Sequence, residues 1–128
     1  MAILDSFRLK GNVALVTGAS RGLGHAMAIG LAEAGTDVVC LSRSFGCEET
    51  ATEIIALGRH SSFIKADLQT QSVEDLRAIV SKVVKEMGRL DILINNAGMI
   101  RRGAAIDFGE DDWDAVIQVN LKSLFFLS

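Results

Sequence analysis

The sequence predicts an α/β protein built on a doubly wound parallel sheet with helices on both faces, and three observations predict it. Four short runs rich in aliphatic and β-branched residues, VALVT, DVVCLS, SSFIKA and DILIN, recur along the chain. Between them lie segments whose apolar residues return every three to four positions, the period of a helix packed on one side. The runs are continuously apolar rather than alternating, as in parallel strands covered above and below. By the connection rule for such sheets the strand order is 3-2-1-4, which leaves ILIN along an open edge.

Each element follows in turn. VALVT, the first strand, runs into GASRGLG and then a helix with Leu23, Met27, Leu31 and Ala34 on one side. Gly35 ends that helix, because glycine takes the left-handed conformation of a helix terminus without steric cost. TDVVCLSRS is the second strand with a short exit loop, and the helix over about 48–57 stops at Gly58. After the third strand, a helix over 73–87 carries Val73, Leu76, Val80, Val83, Val84 and Met87 as its apolar stripe. Thr70 or Ser72 caps its start, and Gly88 ends it.

A fourth helix begins near Asp111 or Asp112, whose carboxylates suit the positive end of the helix dipole. Trp113 is expected as a core anchor at its start. Val116, Ile117, Asn120, Leu121, Leu124 and Phe125 keep helical spacing up to Ser128 with no stop signal. That leaves Leu124, Phe125, Phe126 and Leu127 presenting apolar surface. No linker, repeat or low-complexity stretch divides residues 1–128, which read as one unit.

Composition narrows the class. A chain of 128 residues, 49% hydrophobic and 23% charged, has the make-up of a soluble globular domain. A net charge of -3 supplies no basic field for nucleic acid or an anionic membrane. No run reaches membrane-spanning length, and MAILDSFRLKG mixes acid with base, so a cytoplasmic location is expected. Cys40 and Cys47 have no zinc spacing and read as buried thiols. His25 and His60 lack metal-ligating company, and no metal site is expected.

Chemistry concentrates where the first strand meets the first helix. In TGASRGLG a strand turns sharply into a helix, aiming unpaired N–H groups outward, while glycines let a phosphate approach the backbone. Glycines also make ordinary turns; position after the first strand of a strand-helix repeat favours a pyrophosphate site. Asp67, closing the third strand, reads equally as a turn acid. Asn120 lies between Ile117 and Leu121 on the apolar stripe, where a buried amide needs partners.

The spacing Thr-Gly-x-x-x-Gly-x-Gly, NNAG at 95–98, ADL after the third strand and VNLKS in the last helix together resemble the short-chain dehydrogenase/reductase family. The resemblance covers nearly the whole chain. It implies a Rossmann-type fold in which Gly18, Gly22 and Gly24 line the phosphates of a nicotinamide dinucleotide and Asp67 meets the adenine. It also puts Asn95 and Ala97 near the adenosine ribose. Thr17, Ser20, Leu23, Leu68 and Gly98 complete the expected contacts. Asn120 is then the residue that bends its helix and holds a water in the proton relay. Family members are commonly homotetramers, so a homo-oligomer is expected.

Cofactor choice is read at the second strand. An acid there takes the ribose hydroxyls of NAD, whereas arginine favours NADP. Here the strand ends in Ser42-Arg43, and Arg21 stands in the glycine turn, so NADP is expected with NAD as the alternative. NNAGMIRR and DFGEDDWDAVIQVNLKS look closest to the branch of the family that acts on sugar acids. Arg101 and Arg102 offer a planar guanidinium to a substrate carboxylate, or are simply solvated. In the family a Tyr-x-x-x-Lys motif and a serine beyond Asn120 carry the chemistry. The 128 residues contain no tyrosine. They are expected to be the cofactor-binding half of a longer dehydrogenase, inactive alone; a non-catalytic nucleotide-binding module is the alternative.

Overall fold

The computed structural model describes residues 2–128. The apolar runs form one parallel sheet in the order β3-β2-β1-β4, as the sequence predicts. Its strands are β1 (Val13–Thr17), β2 (Asp37–Ser42), β3 (Ser61–Lys65) and β4 (Ile92–Ile94). In register, Val13 lies beside Asp37 of β2 and Ala14 beside Ile92 of β4.

Alternation along the two central strands sends side chains to two cores. Val13 and Leu15 of β1 join Val39 and Leu41 of β2 against α3 (Val73–Met87), through Leu76, Ile79 and Val83. Val16, Val38 and Cys40 face the other way, onto α1 (Gly22–Glu33) and α2 (Cys47–Ala56) through Ala28, Ala32, Cys47 and Ile54. Leu15, Leu41, Ile54 and Leu76 are fully buried, each stabilising the fold by about 1.5–3 kcal/mol. Burial pushes the Cys40 thiol up to about 12, so it stays protonated at neutral pH.

Helix ends follow local chemistry. Of the two candidate caps for α3, Ser72 serves: its Oγ accepts from Asp75 N at 3.1 Å, and Asp75 Oδ2 accepts from Ser72 N at 3.0 Å. This reciprocal pair contributes on the order of 1 kcal/mol. Gly35, Gly58 and Gly88 all follow their helices in the left-handed conformation. The last helical stretch starts earlier than predicted, as α4 (Glu110–Ile117), widens into a π turn over Gln118–Lys122, and returns as α5 (Ser123–Leu127).

Five expectations are corrected. The buried face of α1 is Gly24, Ala28 and Ala32, while Leu23 is 77% exposed; small residues win because the helix lies tight against the glycine turn. Trp113 is 59% exposed and is no core anchor, since Ala115 and Val119 take the inward positions. Asn120 is exposed for the same reason. Of the final apolar residues, Leu127 is buried in the sheet core, whereas Phe125 lies 67% exposed, edge-on to Phe126. Two-sided cover also stops short of β3, an edge strand whose Phe63 is 45% exposed.

Candidate functional site

The C-terminal ends of all four strands open into a cleft of 380 Å³. Thr17, at the end of β1, is its buried foundation. Its Oγ donates to Ile94 O at 3.3 Å and accepts from Asn96 N at 3.1 Å and Ala97 N at 2.9 Å. One hydroxyl thereby ties the end of β1 to the end of β4.

The glycine turn is built by close approach. Asn96 Nδ2 donates to Thr17 O and Gly18 O, both at 3.2 Å. A Cβ on Gly18 would stand 2.8 Å from that same nitrogen, and one on Gly24 would run into the Gly18 carbonyl oxygen. Gly22 has a φ of +59°, which suits glycine, and no atom lies within 4 Å of where its Cβ would be. Space above this turn is therefore open. No side chain caps α1, whose N-cap Arg21 is extended, so its first-turn N–H groups are left for solvent or a ligand. The Ser72 cap of α3 makes the contrast.

Of the residues singled out in the sequence, Gly18, Ser20, Arg21, Ser42 and Arg43 line one side of the cleft. Asp67, Leu68, Ala97, Gly98 and Arg101 line the other. Ser42 Oγ donates to Ser44 O at 2.8 Å, bending the chain so that Arg43 borders the opening. Asp67 Oδ1 accepts from Gln69 N at 3.0 Å, an Asx turn closing β3. Leu68 is held from behind, its carbonyl accepting from Ser123 Oγ at 3.1 Å and Gln118 Nε2 at 3.2 Å.

The rest stand outside the lining. Thr17 lies beneath it, and Gly22, Leu23 and Gly24 form the rim and helix start. Asn95 turns away, with Nδ2 3.3 Å from Ser128 Oγ. Asn120 reaches the cleft through Met99: its Oδ1 accepts from Met99 N at 2.8 Å and its Nδ2 donates to Met99 O at 2.9 Å. Arg101 pairs with Asp112 at 3.4 Å while bordering the cleft, and Arg102 is outside it. Sequence reasoning missed Asn96, Met99, Ser44 and Gln69. The NNAG doublet was the only signal for Asn96, and it cannot say which asparagine turns inward.

Chemically, the cleft offers an anion uncapped helix N–H groups, the hydroxyls of Ser20 and Ser44, and two arginines at one end. No group of three or more potential metal-ligating side chains occurs among the described residues.

The geometry matches known proteins. The family profile for short chain dehydrogenases matches residues 12–128, and the chain belongs to that family. It is 46% identical over 126 residues to 2-dehydro-3-deoxy-D-gluconate 5-dehydrogenase of Escherichia coli, a match covering 98% of this chain and 49% of that protein. To gluconate 5-dehydrogenase of Gluconobacter oxydans it is 39% identical, covering 96% and 48%. A solved Agrobacterium tumefaciens structure, described as a 2-deoxy-D-gluconate 3-dehydrogenase with bound NADP, superposes with a TM-score of 0.78 at 45% identity, covering 94% and 46%. The chain spans about half the length of the curated relatives it matches.

Proposed function

We propose that the cleft binds a nicotinamide dinucleotide, NADP in preference to NAD, and that the protein is an oxidoreductase acting on a sugar acid. The observation that carries the cofactor reading is the open, uncapped turn at Gly22, walled by Gly18 and Gly24 where no side chain fits. Gly18, Gly22 and Gly24, with Thr17 beneath and Ser20 and Leu23 beside, hold the pyrophosphate. Arg43 and Arg21 take the 2′-phosphate, and Ser42 leaves room for it. Asp67 and Leu68 border the adenine; Ala97 and Gly98 border the adenosine ribose, and Asn95, turned toward Ser128, stands away from it.

When bound, the nicotinamide supplies or accepts the hydride. Within these residues, Asn120 sets the backbone at Met99, and through it the wall of the cleft beyond NNAG. Arg101 is the stronger of the two arginines for a substrate carboxylate, because it borders the cleft with Nε held by Asp112. These 128 residues contain no tyrosine, so we read them as the cofactor-binding unit and place the proton donor outside them. The sugar-acid reading is supported by the names of the two relatives; gluconate 5-dehydrogenase activity is the second reading.

The test follows NADPH and NADH absorbance in the full-length protein with 2-dehydro-3-deoxygluconate, 5-ketogluconate and a neutral ketose. Faster NADPH oxidation with one of the acids supports the proposal, and the 128 residues alone turn over none of them. A preference for the neutral sugar would overturn the substrate class.

A further inference from the structure

We propose that Thr50, although it touches no part of the cleft, is a positioning residue for cofactor binding. Its buried hydroxyl, oriented by His25, holds the glycine turn and the Arg43 turn in one register. The inference rests on the dinucleotide reading above.

Thr50 lies in α2 and is fully buried. Its Oγ is 3.0 Å from Ala19 O, 3.2 Å from Gly46 O and 3.0 Å from His25 Nδ1. A hydroxyl has one proton, and both carbonyls can only accept. If that proton went to Nδ1, two pairs of oxygens would face each other unbridged. The hydroxyl therefore donates to the carbonyl pair and accepts from His25 Nδ1–H. Glu53 Oε2 lies 3.3 Å from Nε2 at the other end of the ring. His25 directly follows Gly24 on α1, so the ring bridges the two helices.

What the hydroxyl joins gives it its role. Ala19 lies between Gly18 and Ser20, which line one part of the cleft, and Gly46 closes the turn that carries Arg43 and Ser44. These turns also press on each other directly: a Cβ on Gly46 would be 3.0 Å from Ser20 Cβ. A dinucleotide must engage both turns at once, so an error in their spacing weakens binding even when every contacting side chain is present. Neither turn has another side chain joining Ala19 to Gly46 among the described residues.

In the full-length protein, Thr50→Val keeps the shape of the side chain and removes the hydroxyl. The Kd values for NADP and NAD should rise together, about tenfold, with kcat at saturating cofactor unchanged. Thr50→Ser should restore both affinities. His25→Ala, at a partly exposed site that folding tolerates better, should shift both Kd values in the same direction, and it carries the test if the valine variant does not fold. Unchanged affinities, or a loss that serine does not reverse, would overturn the inference. A wild-type protein that binds neither dinucleotide would instead end the cofactor reading itself, which separates the two failures.

Discussion

Asn120 grips both backbone groups of Met99, accepting from its N–H at 2.8 Å and donating to its carbonyl at 2.9 Å across 21 residues of sequence. The grip joins the π turn of the last helix to the segment leaving β4. Asn120 sits at the middle of that turn, which spans Gln118–Lys122.

Replacing Asn120 with alanine should therefore move the Met99 wall. In the full-length protein the expected result is a fall in kcat of at least about tenfold, with a smaller change in cofactor Kd. Steady-state kinetics beside a cofactor titration checks this. Unaltered kcat would mean that the grip serves folding alone.

The two neighbouring arginines should separate. Arg101 borders the cleft and pairs with Asp112, whereas Arg102 does not line it. Arg101→Ala should raise the KM for a sugar acid about tenfold, more than for a neutral analogue, and Arg102→Ala should change neither. Equal effects of Arg101→Ala on acid and neutral substrates would remove it from carboxylate recognition.

Acid should weaken the fold through Asp91. Its carboxylate accepts from Arg89 Nε and Nη2, both at 2.7 Å, and from Val13 N at 2.9 Å. Hydrogen bonds from Arg89, then from Val13 N–H, hold its pKa below the usual carboxylate value. A depressed folded-state pKa means that the stabilisation is present above the unfolded value and is lost as pH falls through the folded one. Asp91→Asn should lower Tm near neutral pH and flatten its decline below about pH 4. Thermal melts across that range would contradict the assignment if the two declines ran parallel.

Much of this architecture was legible because it is written in large apolar residues and in glycines. The β1 and β2 runs, the sheet order and the glycine stops after α1, α2 and α3 all depend on such signals. The inward face of α1 was not: Gly24, Ala28 and Ala32 carry little hydrophobic signal, and Leu23 and Met27 outweigh them in any periodicity. Nor could spacing show that Ala115 and Val119, rather than Trp113, face the core. In the site, the glycine turn and Arg43 could be read locally. Asn96 and the Asn120 grip could not, because their partners are backbone groups on distant elements.

The most direct test of the account is calorimetric titration of the full-length protein and its Arg43→Ala variant with NADP and with NAD. Arg43 borders the cleft beside Ser42, which ends β2 where an acid would repel a 2′-phosphate. A charge-assisted pair there contributes about 1.5–3 kcal/mol. The account predicts tighter binding of NADP by the wild type, a loss of roughly tenfold to a hundredfold for NADP in the variant, and unchanged NAD affinity. Wild-type binding of NAD as tight as or tighter than NADP, or an equal loss for both cofactors in Arg43→Ala, would contradict it.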